Sequence, residues 1–525
     1  MIANNQNTRW KPSTYIILLI GLAFLVGMYE ILRYSGLIGE SDTASFTRAI
    51  ANMLHSGTLT PSGSIYPNGY GYQVLVIWLM SFTGLPLGII QVSGGALLLA
   101  WVVVPAWLAY REFTQSTLAA SLAGLILLVQ PDFLFPLLRG THEKFTRGLM
   151  FLCFFLLLRG LRSHSLRQSI SLIACFYLSA YALIAFNTFY SSSYILGIAM
   201  ALGLVLISSR WLTNLQPTSN SIISKLFYVT ISLLVIAFIF TFYAYTPAQS
   251  QLRVLQNVWE RLSLLFLQVK DVANDPYQVV ATGWVSLPVY YLVSAANWLL
   301  LGTSLILWLR QFHRWLIKKT DMPANHELIL WAFYTAFAGL SFISILVDVS
   351  GALASNLQHR SFPTFAMVAA PVVGTWIASM KHSLNLHHKL RWAAICIVFA
   401  CLMILSIFKA TNEPMLSNYW LFYTPADFQT VSWAEQYLSG SALWVGKWNQ
   451  ISAGYFVREN GRQFNVSLDT DYPNPSTHNF LISDVIRLFD QRIGIQLPVT
   501  GNSLITYDNG TAQIYHDRPV TPFQK

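Results

Sequence analysis

Charge is scarce in this chain. Asp, Glu, Lys and Arg make up 10% of its 525 residues, where a soluble domain carries about a quarter. Together with 54% hydrophobic residues, the shortage excludes a solvated globular protein of ordinary composition and predicts a polytopic membrane protein. Cysteine is scarce too. The four present, Cys153, Cys175, Cys396 and Cys401, all fall in apolar runs, so neither a disulfide framework nor a Cys-based zinc site is indicated. Internal repeats and low-complexity tracts are absent. The net charge of +10 reads as the positive-inside bias of membrane proteins rather than as a nucleic-acid footprint.

Apolar runs are what the chain has in quantity. Crossing the hydrocarbon layer takes about 20 apolar residues. Candidate spans are 15–32, 90–110, 117–134, 146–158, 169–186, 193–209, 226–245, 287–309, 328–347, 361–380 and 392–408. The first lacks a small-residue cleavage site after it, so it is expected to be a retained helix rather than a removed signal. The segment 73–84 (QVLVIWLMSFTG) is expected to be a re-entrant or surface-lying helix, because counting it as a span breaks the charge pattern. With the N-terminus cytoplasmic, the inner segments collect fifteen Lys and Arg and the outer loops are much sparser. That bias orients the chain and puts the tail 409–525 outside. The acids run the other way: Glu40, Asp42, Asp132, Glu143, Glu260, Asp271, Asp275 and Asp348 all fall on the outer side, where chemistry is expected.

The predicted architecture is an all-α polytopic membrane bundle of about eleven transmembrane helices over 1–408, followed by a small extracytoplasmic α/β or α+β domain over 409–525. In the tail, DFQTVSWAEQYL and SDVIRLFDQRI read as helices. SALWVGKW, NSLITYDNG and TAQIYHD read as strands, the last two flanking an Asn-Gly hairpin turn.

Two outer loops carry the candidate chemistry. The first, from Arg33 to Tyr72, places Glu40 and Asp42 close to the membrane surface and then a short amphipathic stretch, TASFTRAIANMLHSG. A carboxylate beside a membrane cavity can serve as a general base or hold a divalent cation. The plainer alternative is a pair of solvated acids at a helix N-terminus, with Ser41, Asp42 or Thr43 as cap. The second loop, PDFLFPLLRGTHEKFTRG, gathers Arg139, His142, Glu143, Lys144 and Arg147 within nine residues. Each charge near the bilayer centre costs about 2.5–3.5 kcal/mol, so the cluster must face water or a polar cavity. A helix N-terminus with Arg and Lys suits a phosphate; snorkelling anchors at the interface are the competing explanation. Arg360, the only Lys or Arg in its loop, is either a phosphate ligand or an ordinary membrane-edge Arg. His359 reads as interfacial. The loop 246–286 contains an amphipathic helix from about 250 to 269 that docks on the membrane or covers the cavity.

The order of these features resembles the integral-membrane glycosyltransferases of the GT-C superfamily: protein mannosyltransferases, aminoarabinose transferases and oligosaccharyltransferase catalytic subunits. The residues that carry the resemblance are Gly39-Glu40-Ser41-Asp42, the turn Tyr66-Pro67-Asn68-Gly69-Tyr70, and Arg139-Gly140-Thr141-His142-Glu143. It covers roughly residues 10–160 by motif and the remainder by topology. It implies sugar transfer from a polyprenyl-phosphate or polyprenyl-diphosphate donor to a glycan, lipid or protein acceptor on the outer face. Asp42 and Glu143 would be the catalytic carboxylates, Asp42 as the base or an acceptor-orienting acid and Glu143 as the acid near the donor or a metal, with Mg or Mn as a possible shared cofactor. Glu40, Arg139, His142, Lys144, Arg147, Arg360, Tyr66 and Tyr70 would contact substrate, the cations among them the donor phosphate. The sequence departs from the family in pairing Glu40 with Asp42 where many members have Asp-x-Asp or Asp-Glu, and it lacks a clear WWDxG-type acceptor motif.

Two other functions fit a polytopic chain. A transporter or flippase of lipid-linked sugars predicts charges in mid-membrane and related halves, whereas most long spans here are free of charge. A non-catalytic scaffold presenting the tail predicts no clustering of acids and bases in one pair of loops.

Overall fold

The computed structural model describes residues 11–59, 69–163, 165–211, 220–239, 286–316, 325–349, 357–380, 386–411 and 423–438. Beyond these it describes 443–445, 466–467, 478–487, 503–517 and the single or paired positions 256, 259, 260, 263, 413, 451, 496, 497 and 499. Tyr66 and nearly all of the expected amphipathic helix at 250–269 lie outside the described residues, as does the side chain of His359.

The chain is mostly helical. In order come α1 (Pro12–Arg33), α2 (Ser41–Ser56), α3 (Gly71–Thr83) and α4 (Ile89–Thr114, opened by a π-helical turn at Ile89–Gly94). Then follow α5 (Thr117–Leu128), α6 (Pro131–Leu138), α7 (Glu143–Arg162), α8 (Leu166–Phe186), α9 (Thr188–Trp211) and α10 (Asn220–Ile239). The last group is α11 (Leu287–Val293), α12 (Ala295–Leu316), α13 (Asn325–Val349), α14 (Leu357–Ala378), α15 (Leu386–Ala410) and α16 (Pro425–Tyr437).

Among the described residues, seven helices are long and apolar enough to cross a membrane, or up to nine if each of two bent pairs forms one span. The expected count of about eleven is therefore not confirmed among the described residues. The bends explain part of the difference: α5 and α6 meet at 72°, and α11 and α12 at 64°. α6 opens with proline in its first turn, where a missing N–H does no harm and a fresh helix direction is easily started; the second bend falls at Ser294, and α12 opens after it without proline. α7 passes through the centre of the bundle but carries Glu143, Lys144 and Arg147 at one end and Arg159 and Arg162 at the other. α3 has only 13 residues, too few to span, as expected for 73–84.

Packing centres on α7, which lies against α4 and α8; α14 lies against α5 and α13, and α9 against α13. Phe154 touches Phe113, Tyr194, Phe333 and Phe337, binding α4, α7, α9 and α13 through edge-on and tilted rings, the arrangement that aromatic quadrupoles favour. Large apolar side chains such as Leu25 on α1, Leu178 on α8 and Ile397 on α15 remain exposed, as a lipid-facing surface requires.

The C-terminal region holds a five-stranded sheet in the order β2-β1-β3-β5-β4, with β1 Leu443–Trp444, β2 Val466–Ser467, β3 Asn479–Ser483, β4 Ser503–Asp508 and β5 Ala512–Asp517. β1 runs parallel to β2 and β3, while β3–β5 and β4–β5 are antiparallel. β4 and β5 form the hairpin expected around Asn509-Gly510; Gly510 takes φ 89°, a conformation in which glycine has no Cβ penalty. α16 is set by a capping box, Thr424 with Asp427. Of the expected helix at SDVIRLFDQRI, the described part is 484–487.

This region sits on the first loop. Tyr34, Ile38 and Ala44 share one apolar cluster with Tyr423, Phe428, Leu443, Leu481 and Ile514. The Tyr423 amide donates to the Gly39 carbonyl at 3.1 Å, and the Tyr34 hydroxyl donates to the Thr411 carbonyl at 2.8 Å.

Candidate active site

The first loop and the second meet at the N-termini of α2 and α7. At the start of α2, Glu40 is the cap. Its carboxylate accepts from the amides of Asp42 (2.6 Å) and Thr43 (2.8 Å) and from the Thr43 hydroxyl. Those amides are among the four that a helix start leaves without a partner. Glu40 is buried, and burial pushes its carboxyl up to about 7; Arg139 pulls it down and Asp42 pushes it further up. The capping role thus falls to Glu40 rather than to Ser41, Asp42 or Thr43, which leaves the Asp42 side chain, 39% exposed, turned toward the second loop.

There Arg139 takes it. One nitrogen of the guanidinium, Nη1, is ion-paired with Asp42 Oδ2, and the other, Nη2, donates to Glu143 Oε1 at 3.2 Å. The cation is 7% exposed and lies over the Phe135 ring, 4.5 Å from its centroid. Asp42 and Glu143, 101 positions apart in sequence, are therefore joined through a single buried side chain. The other Glu143 oxygen accepts from the Thr141 hydroxyl, and His142 Nδ1 stands 3.6 Å from it. On its far side His142 Nε2 meets the Asn187 amide nitrogen at 2.7 Å. With that amide as donor, the ring proton sits on Nδ1 and faces Glu143.

Gly140 is the seam. Its amide donates to Thr43 Oγ1 at 2.9 Å, and its carbonyl accepts from the Tyr72 hydroxyl and from Gln91 Nε2 at 3.2 Å. Gln91 is fixed in turn by the Thr47 hydroxyl at 2.7 Å. Helices α2, α3 and α4 are all tied to one backbone unit of the second loop.

The remaining cations differ from Arg139. Lys144 is buried with its ammonium on the Arg139 carbonyl. Arg147, 1% exposed, has the Thr364 hydroxyl, the Met150 sulfur and the face of Tyr190 (4.8 Å) as neighbours. Its Nε has no hydrogen-bond partner, and among the described residues no carboxylate forms a salt bridge with it. Arg360 is exposed at the start of α14, and its charge bears on the Tyr190 hydroxyl. Tyr70 is the N-cap of α3, next to the Tyr72 that reaches Gly140.

The donor set does not suit a divalent cation while Arg139 is in place. The guanidinium stands between the two carboxylates that such an ion would share, and among the described residues no three ligating side chains converge.

Several residues here escaped the sequence reading: Glu30, Tyr72, Gln91, Asn187, Tyr190 and Thr364. Glu30 and Gln91 had a usable signal, since a polar group inside an apolar span is expensive and marks function by default. Glu30 Oε2 is buried with no hydrogen-bond partner. The others are ordinary residues made polar neighbours by the fold.

No family model matches the sequence, and no curated protein matches it. Solved structures do. The archaeal oligosaccharyltransferase AglB from Archaeoglobus fulgidus, in complex with an inhibitory peptide and a dolichol-phosphate, superposes with TM-score 0.58 at 11% identity, covering 97% of this chain and 75% of that one. The Archaeoglobus fulgidus oligosaccharyltransferase in the apo form gives TM-score 0.56 at 11% identity, covering 91% and 70%. The arabinofuranosyltransferase AftD from Mycobacteria gives 0.45 at 12%, covering 96% and 41%. At such identity the likeness shows the fold alone: this chain shares the fold of the two oligosaccharyltransferase structures.

Proposed function

We propose that the protein transfers a sugar from a polyprenyl-phosphate-linked donor to an acceptor on the outer face of the membrane. The observation that carries this reading is the division of the site into two chemistries. On one side Asp42, partly exposed, is held by Arg139 beside Glu143. On the other, Arg147 is a buried guanidinium with no salt-bridged acid among the described residues, the arrangement an anionic group would complete.

In this reading the acceptor hydroxyl or amine gives its proton to Asp42 as its lone pair attacks the anomeric carbon of the donor sugar. The bond from that carbon to the lipid phosphate oxygen breaks, and its electron pair stays on the phosphate. Arg147, with Arg360 at the rim, stabilises the charge that gathers there. Glu143 holds Arg139 and so aims the Asp42 carboxylate. AglB, whose fold this chain shares, was captured with a dolichol-phosphate, which supports a lipid phosphate as the group the cations meet. The positive-inside bias supports an outward-facing site.

The test is mass spectrometry of lipid-linked sugars and surface glycans from cells with the wild-type protein, without it, and with Asp42→Asn. Loss of one glycan with build-up of one lipid-linked sugar is expected in both deficient strains. Undiminished transfer by Asp42→Asn, expressed at wild-type level, removes Asp42 from the mechanism.

A further inference from the structure

We infer that Arg139 stands in for a divalent cation, so that the acids of this site are gathered by the chain's own guanidinium and bind no metal. The geometry is specific. A guanidinium presents donors in a rigid fork, and here the two terminal nitrogens are divided between two carboxylates, Asp42 from the first loop and Glu143 from α7. That is the bridging position a shared metal ion would take.

Most of the oxygens an ion would need are already used. Asp42 Oδ2 and Glu143 Oε1 face Arg139, and Glu143 Oε2 accepts from Thr141. Both Glu40 oxygens cap α2. Magnesium demands near-octahedral oxygen ligation at about 2.0–2.1 Å, and calcium takes six to eight oxygens at about 2.3–2.6 Å. Neither shell can form around this pair unless Arg139 leaves. Arg139 is 7% exposed, its guanidinium rests on Phe135, and its own carbonyl holds the Lys144 ammonium. Withdrawing it would strand a buried cation and release a second one beside the incoming metal, and both effects oppose metal entry.

The inference concerns the resting site and not the transfer reaction, so each can fail without the other. The experiment is Mn2+ titration of the purified full-length protein, with free Mn2+ followed by electron paramagnetic resonance. Wild type is expected to take up no stoichiometric Mn2+. Arg139→Met, which keeps the side-chain volume and removes the fork, is expected to take up one equivalent, lost again in Arg139→Met combined with Asp42→Asn. One equivalent bound by wild type and abolished by Asp42→Asn would overturn the inference, and that comparison stands even if Arg139→Met does not fold. A folded Arg139→Met protein that binds no Mn2+ would also overturn it, since the guanidinium would then not be what occupies the cation's place.

Discussion

Replacing Gly140 by alanine tests whether the two loops are held together as described. A Cβ built there would lie 2.6 Å from Thr43 Cγ2, 2.9 Å from the Gln91 carbonyl oxygen and 3.3 Å from Thr43 Oγ1. Thr43 cannot simply rotate away, because its hydroxyl joins the Glu40 carboxylate to the Gly140 amide. The Gln91 oxygen is backbone and does not rotate. The strain is relieved only if the second loop backs away from α2, and that movement weakens the three hydrogen bonds Gly140 makes with Thr43, Tyr72 and Gln91. Overpacking of this kind costs about 1–3 kcal/mol, and a loosened buried hydrogen bond adds about 1 kcal/mol. The expected loss is therefore about 2–4 kcal/mol, together with most of the transfer activity, because Arg139 is the adjacent residue and moves with the loop. The assay is thermal unfolding in detergent beside lipid-linked sugar turnover. Gly203→Ala, where a Cβ meets nothing within 4 Å, is the control and should lose neither. If Gly140→Ala matches the control in both measurements, the seam at Gly140 does not hold the site together.

Three other outcomes follow from individual side chains. Arg147→Gln should lower kcat/KM for the lipid-linked donor by about tenfold to a hundredfold, as expected for one charged hydrogen bond of about 1.5–3 kcal/mol; an unchanged value in steady-state kinetics would move the phosphate elsewhere. Burial holds the Glu40 carboxyl at about 7 against 4.5 unperturbed, so the folded state keeps a proton that the unfolded chain releases. The stabilising contribution is full below about pH 4.5 and is lost as pH rises through about 7; in unfolding midpoints measured from pH 5 to 8, Glu40→Gln should flatten this decline. Glu413→Gln breaks the pair with Arg33 at 2.7 Å, but both side chains are more than 20% exposed, so the unfolding midpoint should shift by the equivalent of only about 1 kcal/mol or less.

The sequence carried the helices and the two loops that hold the candidate site, and physical causes separate these from what it did not carry. Apolar runs mark helices because burial and lipid exposure both demand them, and the Asn509-Gly510 hairpin is encoded in two residues. The charges from Arg139 to Arg147 pointed to a polar site because five such side chains are costly inside a span unless they face water or a polar cavity. The bends after α5 and α11 were not legible, since the proline that opens α6 marks where a helix starts and says nothing of the angle it takes to its predecessor, and the break at Ser294 carries no proline. The role of Glu40 as cap was missed in favour of its neighbours, because which of four adjacent polar residues folds back is decided by burial. Tyr72, Asn187 and Tyr190 have no local signature at all; their partners lie 40 to 70 positions away, and long-range pairing leaves no trace in spacing.

One consequence links the ends of the chain. The loop carrying Glu40 and Asp42 is gripped from three directions: by Gly140 and Arg139 of the second loop, by Gln91 and Tyr72 acting through Gly140, and by the C-terminal region through Tyr423 on Gly39. Tyr34, Ile38 and Ala44 are buried among residues that follow them by some 380 to 480 positions. An apolar core cannot be shifted by half its packing distance without losing contacts on every side, so a displacement of the sheet and α16 is felt at Gly39. That residue is three positions from the carboxylate that Arg139 holds. The C-terminal region thus acts as a wall of the candidate site's supporting shell, and the geometry between Asp42 and Glu143 depends on residues that touch neither.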